Sequence, residues 1–163
     1  AALPPGAWPN WVLGNHDEPR LATRAGPGNA RLAAMLLLTL RGTPTLYQGD
    51  ELGLSEVPID PSEQVDPWGL QVPGMSRDGC RPPMPWRPGP GGGFTAGTPW
   101  LPLGPEAEHR NVAAQLDDPG SILNLYRALL ALRRAQPSLH GGAYRRVESP
   151  RGVLAYAREA AGE

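Results

Sequence analysis

Cysteine, histidine, net charge and long apolar runs are all scarce in this sequence, and each shortage removes a class of protein. The single cysteine, Cys80, has no partner for an internal disulfide, and the three histidines, His16, His109 and His140, are too scattered to form a zinc-binding Cys/His pattern. No metal and no redox cofactor are expected, and a reducing, cytoplasmic setting fits best. Fifteen Lys plus Arg against sixteen Asp plus Glu leave a formal charge of -1, so no net field draws in nucleic acid or an anionic membrane. The longest apolar stretch, Ala33 to Leu38, is interrupted by Thr39 and Arg41, far short of the roughly 20 residues that span a bilayer. No membrane helix is predicted, and the proline-bearing start, Ala1 to Pro9, lacks the basic and apolar regions of a signal peptide. The chain opens on Ala1 rather than Met, so it is read as a piece of something longer.

Glycine and proline are abundant instead, 21 of each in 163 residues, against typical usage of about 7% and 5%. Their placement divides the chain. Trp8 to Gly14 reads as a buried strand ending in a tight turn, with a polar cluster immediately after it. From Asn29 as N-cap, Ala30 to Arg41 is predicted as a helix whose apolar face carries Leu32, Met35, Leu36 and Leu40, with Gly42 as its stop. Thr43 to Tyr47 is a second short strand. From Leu54 to Gly120, repeated prolines and Gly91-Gly92-Gly93 forbid long regular elements. Trp68, Trp86 and Trp100 nevertheless argue that this long loop packs on something.

Periodicity returns at Ser121, a predicted N-cap, with Ile122, Leu125, Tyr126, Leu129, Leu130 and Leu132 in a stripe and Arg127, Arg133 and Arg134 outside it. Pro137 ends that helix. Ala143 to Glu148 and Val153 to Arg158, joined by Ser149-Pro150-Arg151-Gly152, read as a hairpin, and a lone hairpin implies the start of an all-β domain. The order strand, helix, strand, long loop, helix is that of the closing units of a (β/α)8 barrel, with polar residues at the strand ends where barrel active sites lie.

Trp11-Val12-Leu13-Gly14-Asn15-His16-Asp17-Glu18-Pro19-Arg20 resembles the seventh-strand motif of the α-amylase family, glycoside hydrolase family 13. Gly42 to Gly53, with Tyr47-Gln48-Gly49-Asp50-Glu51, resembles that family's eighth-strand motif. Arg77-Asp78-Gly79-Cys80-Arg81-Pro82-Pro83-Met84-Pro85-Trp86 resembles a loop of its bacterial α-glucosidase and oligo-1,6-glucosidase branch. A lone Asn-His-Asp triple is ordinary turn chemistry; three motifs in the family's order are far more specific.

The resemblance implies an α/β fold: residues 1–140 as units 7 and 8 of a TIM barrel, with the loop 54–120 and last helix 121–136, and residues 141–163 as the start of a C-terminal β-sandwich domain. It implies a fragment of a retaining α-glucosidase acting on α-glucosides or malto- and isomalto-oligosaccharides, in which one carboxylate attacks and another protonates the leaving group. Both of those carboxylates belong to earlier strands in the family. Asp17 matches the family's third carboxylate, the transition-state stabiliser, and His16 its neighbour on the sugar hydroxyls. Arg20 matches a basic residue near the pocket rim, with a substrate-entrance or ion-pair role. Transfer or isomerisation, and a non-catalytic barrel homologue, are the alternatives. Arg77 and Asp78 are expected to pair with each other, Asp50 and Glu51 to serve as a cap or solvated pair, and Cys80 to be a small buried hydrophobe. Oligomeric state is left open.

Overall fold

Short parallel strands joined by a helix begin the chain, whose computed structural model describes residues 3, 4 and 6–160. The readings that touch residues 1, 2, 5 and 161–163 lie outside the described residues. β1 (Asn10–Val12) pairs in parallel with β2 (Thr43–Thr45), in the register Asn10 with Thr43, Trp11 with Pro44 and Val12 with Thr45. Both are shorter than the sequence predicts, and β1 is exposed rather than buried. A parallel strand of this kind is normally flanked and covered on both faces, whereas β1 and β2 have only each other in their sheet among the described residues. Pro44 in β2 also lacks an N–H for a further partner.

The turn before β2 needs glycine. Gly42 has φ +140°, and a Cβ there would lie 2.6 Å from Trp11 Nε1 and 2.8 Å from the Pro9 carbonyl oxygen. Trp11 Nε1 donates to the Arg41 carbonyl at 2.8 Å, so the indole itself closes the strand entry.

Between the strands lie α1 (Leu21–Ala25), a 3-10 turn at Pro27–Asn29 and α2 (Ala30–Thr39). Asn29 is not the side-chain cap expected of it. It is already helical and its Nδ2 donates back to the Ala25 carbonyl at 2.8 Å, because the preceding turn delivers a hydrogen-bonded entry. The buried face of α2 also differs from the predicted one. Ala30, Ala34, Leu37 and Leu38 are buried, while Leu32 and Met35 are exposed.

α2 packs on α5 (Ile122–Ala135), and the shared core is Ala30, Ala34, Leu38, Ile122, Tyr126 and Leu129. Full burial of one such leucine stabilises by about 1.5–3 kcal/mol. Small alanines on α2 let the bulkier α5 side chains approach. Ser121 caps α5 as expected, its Oγ accepting from the Asn124 N–H at 3.1 Å. Arg133, expected outside the stripe, is buried: it donates to the carbonyl oxygens of Leu38 at 2.8 Å and Leu40 at 3.1 Å, and to that of Gly42. The Leu38 carbonyl is one that the last turn of α2 leaves without an intrahelical partner, and those of Leu40 and Gly42 belong to the turn that leads into β2.

Pro137 ends α5 but also opens a short α6 (Pro137–Gly141). β3 (Ala143–Val147) and β4 (Ala155–Glu159) then form an antiparallel hairpin, the second strand starting two residues later than predicted. The hairpin is tied down by Arg158, which donates to Thr39 O and Gly142 O at 2.8 Å each, and by a hydroxyl contact between Thr39 and Tyr156. The long connection between β2 and α5 holds only short pieces, among them α3 (Pro67–Gln71) and α4 (Val112–Leu116).

Candidate functional site

Asn15 makes the turn that aims the polar cluster: its Oδ1 accepts from the Asp17 N–H at 2.8 Å. This is the turn chemistry a bare Asn-His-Asp would have anyway, and it leaves the next two side chains in solvent just past the C-terminal end of β1. Gly14 is buried beneath them. A Cβ there would come within 3.1 Å of Asp50 Oδ2 and 3.4 Å of Tyr47 Cβ, so the absence of a side chain eases the close approach of the two strand ends.

His16 and Asp17 are brought together, His16 Nε2 lying 3.4 Å from Asp17 Oδ2, with the side chains 68% and 50% exposed. The other carboxylate oxygen, Oδ1, accepts from Arg77 Nη1 at 2.8 Å and from Arg81 Nη2 at 3.4 Å. Arg81 also uses Nε on the His16 carbonyl at 2.9 Å. The Asp17 carboxylate is therefore held through one oxygen, while the other faces the imidazole.

Arg77 is the hub. It sits between Asp17 and the buried Asp66, taking Asp66 Oδ2 with Nε and Oδ1 with Nη2, both at 2.8 Å, while its backbone N–H reaches Oδ2 at 2.9 Å. Its guanidinium also lies 5.4 Å from the Trp68 ring centroid. The fork of bonds to Arg77 holds the Asp66 carboxyl well below the usual carboxylate range, and the same bonds raise the Arg77 guanidinium further. The expected pairing of Arg77 with Asp78 does not occur. Asp78 is buried and its Oδ2 accepts from the N–H groups of Val65 and Asp66 at 2.7 and 2.9 Å and from Ser76 Oγ at 3.1 Å. Three donors within one loop satisfy Asp78 locally, which leaves the arginine to span the longer gap.

Asp17 and Arg77 line one wall of a cleft of about 450 Å³ together with Trp68, Met75 and Ser76. Sequence reasoning missed Asp66 and the link from Arg77 to Asp17. An Asp before Pro67 signals only a helix cap, a role Asp66 does fill by accepting from the Trp68 N–H at 3.3 Å; nothing local marks a partner 11 residues away.

Arg20, expected near a pocket rim, lines a cavity of about 220 Å³ with Leu54, Val57, Pro82 and Pro85 but is itself buried. It is 1% exposed, donates to Gln48 O at 2.7 Å and Gln48 Oε1 at 3.1 Å, and lies 5.4 Å from the Tyr47 ring centroid. Burial pushes its guanidinium below the ordinary value, with Tyr47 and Asp50 partly offsetting this. The α1 entry draws Arg20 inward, where it braces the turn after β2; a Cβ on Gly49, at φ +94°, would be 2.5 Å from Arg20 Nη1. Among the described residues no hydrogen bond or ion pair joins it to His16 or Asp17.

Asp50 and Glu51 separate in role. Glu51 Oε2 accepts from the Gly49 N–H at 2.9 Å, as a local cap, whereas Asp50 is buried. Cys80 is buried, its thiol directed at the Arg77 carbonyl at 3.1 Å and pushed up in pKa by burial. His109 and His140 are exposed. Among the described residues no group of His, Cys, Asp and Glu is arranged for a metal, and no helix is long and apolar enough to cross a membrane.

A family model described as the alpha amylase catalytic domain matches residues 1–142. A probable alpha-glucosidase of Rhizobium meliloti (strain 1021) is 43% identical over 94% of this chain and 29% of its own length. An oligo-1,6-glucosidase of Parageobacillus thermoglucosidasius is 34% identical over 84% of this chain and 29% of its own. Among solved structures, the alpha-glucosyl transfer enzyme XgtA superposes with a TM-score of 0.88 at 43% identity, covering 95% of this chain and 30% of that one. The trehalulose synthase MutB of Pseudomonas mesoacidophila MX-45 superposes with a TM-score of 0.83 at 33% identity, over 95% of this chain and 33% of its own. The chain thus spans about 30% of the length of these relatives.

Proposed function

From the premise that this chain belongs to the α-amylase family, glycoside hydrolase family 13, we propose that it supplies the sugar-holding part of a retaining α-glucosidase site. In this reading residues 1–140 are the closing part of the barrel and residues 141–163 begin a C-terminal β domain. The substrate is a terminal α-linked glucose on an oligosaccharide. The nucleophile and the acid belong to preceding strands of the same barrel.

The observation that carries the proposal is the arrangement of Asp17: one oxygen held by Arg77 and Arg81, the other beside His16 and accessible at the strand end. A carboxylate fixed in that way accepts from ring hydroxyls, which a freely rotating one does only at an entropic cost. A hydrogen bond to the 2-OH strengthens as positive charge develops at the anomeric carbon. The imidazole of His16 supplies the N–H donor that a carboxylate lacks. Arg20 acts in this scheme beneath the site, bracing the β2 turn, rather than on the sugar.

Removing charge from Asp17 with its shape kept tests this directly. In a complete barrel, Asp17→Asn is expected to lower kcat on p-nitrophenyl α-glucoside by about 100-fold or more, the scale of losing one transition-state contact, with the circular-dichroism spectrum unchanged. Turnover within a few-fold of the parent would take Asp17 out of the site. Transfer of the glucosyl unit to another sugar is the second reading, favoured by the likeness to XgtA. Product chromatography with excess maltose separates the two, since hydrolysis leaves only glucose and transfer leaves longer sugars.

A further inference from the structure

Asp66 is 2% exposed and makes no hydrogen bond to the Asn15–Asp17 turn among the described residues, yet its two oxygens take three of the N–H groups of Arg77. Five side-chain N–H donors are available to a guanidinium in a rigid plane. With Nε and one Nη2 hydrogen committed to Asp66, the plane of Arg77 is set, and Nη1 is delivered to Asp17 Oδ1 at 2.8 Å. The far side of the anchor is fixed as well. The backbone N–H of Asp66 is held by Asp78 Oδ2 at 2.9 Å, and the carboxylate caps α3. Arg77 is only 28% exposed, against 50% for Asp17, so the order of rigidity runs from the buried acid outward to the accessible one.

We infer that Asp66 is a positioning residue for the glycosyl site, acting through Arg77 to fix the rotamer of Asp17 so that Oδ2 faces the ring hydroxyls. The inference rests on the proposed sugar-holding role of Asp17. Without Asp66, the arginine keeps its charge but loses the fork that sets its plane, and Asp17 Oδ1 is left with the longer Arg81 contact at 3.4 Å, which lets the carboxylate turn its other oxygen away. The loss falls on substrates that offer a hydroxyl to that oxygen.

The test is made with residues 1–163 in a complete barrel, comparing p-nitrophenyl α-glucoside with its 2-deoxy analogue. Asp66→Asn keeps an oxygen for capping α3 and removes the second anionic acceptor. It is expected to lower kcat/KM on the glucoside by about 10- to 100-fold, the scale of a displaced catalytic group, and to change it less than about twofold on the 2-deoxyglucoside relative to the parent on that substrate. A purely structural role for Asp66 predicts equal losses on both substrates, and that result, or no loss on either, overturns the inference. Should Asp66→Asn fail to fold, Arg77→Lys serves instead: it keeps the charge but cannot bridge both acids in one plane, and the same split between substrates is expected, equal losses again overturning it. Near-normal turnover of Asp17→Asn would sink the underlying site assignment. A crippled Asp17→Asn beside an unsplit Asp66→Asn penalty would sink the positioning role alone.

Discussion

Asp50 lies against the underside of the β1 turn with only 5% of its surface exposed, and its carboxyl is pushed up to about 6 from an ordinary 3.8. Burial is the main cause; the Tyr47 N–H at 3.4 Å and the nearby Arg20 oppose it, and Glu51 reinforces it. Because the folded value lies above the unfolded one, the contribution of Asp50 to stability is fully present below pH 3.8 and is lost as pH rises through about 6. Above that, the folded state carries a buried charge costing about 3 kcal/mol as an upper bound, at about 1.4 kcal/mol per pKa unit. Asp50→Asn removes the charge and keeps an acceptor for Tyr47. Thermal melts from about pH 4 to pH 8 are expected to show the variant more stable than the parent near pH 7.5. The two curves should converge toward pH 4, and a variant that melts below the parent at neutral pH would contradict this account of Asp50. In sequence, Asp50 and Glu51 are adjacent and chemically alike; only the turn at Gly49 turns one inward and leaves the other capping the loop.

At the scale of elements, α2 and α5 were legible as helices, each within two residues of its bounds, because their apolar residues recur at helical spacing. Which face of α2 is buried was not legible. The reading favoured the largest side chains, Leu32 and Met35, while the contact with α5 selects the small ones, Ala30 and Ala34, so that the helices can approach closely. Arg133 was misread for a related reason: periodicity marks it as outside the stripe, but the end of α2 and the turn after it present three carbonyls to its guanidinium. Arg133→Met keeps the aliphatic stem and removes those bonds. It is expected to lower stability by about 2–4 kcal/mol, since buried acceptors are left unpaired. Arg127→Met on the exposed side of α5 should change stability by less than about 0.5 kcal/mol. Urea unfolding of both variants checks this, and equal effects would remove the capping role from Arg133.

Across the whole molecule, the motif residues His16 and Asp17 lie together past the end of β1, their side chains 3.4 Å apart. Arg20 is buried beneath them, and Asp17 is met by Arg77, 60 positions along the chain, and by Arg81. Pairing across a proline-rich loop depends on how that loop folds, and no periodicity records it. The same distribution of parts governs what the chain can do by itself. Retaining hydrolysis needs two carboxylates about 5–5.5 Å apart, one on either side of the scissile bond. By family resemblance, Asp17 is neither of them. In this chain its carboxylate lies beside Arg77, Arg81 and His16. β1 is exposed along its length, as are Leu32 and Met35. The 163-residue chain alone is therefore expected to release no p-nitrophenol from its α-glucoside above the level of an Asp17→Asn control purified identically. Release that disappears in the control would show that these residues hold a complete catalytic apparatus, and would overturn the division between a sugar-holding part and a bond-breaking part.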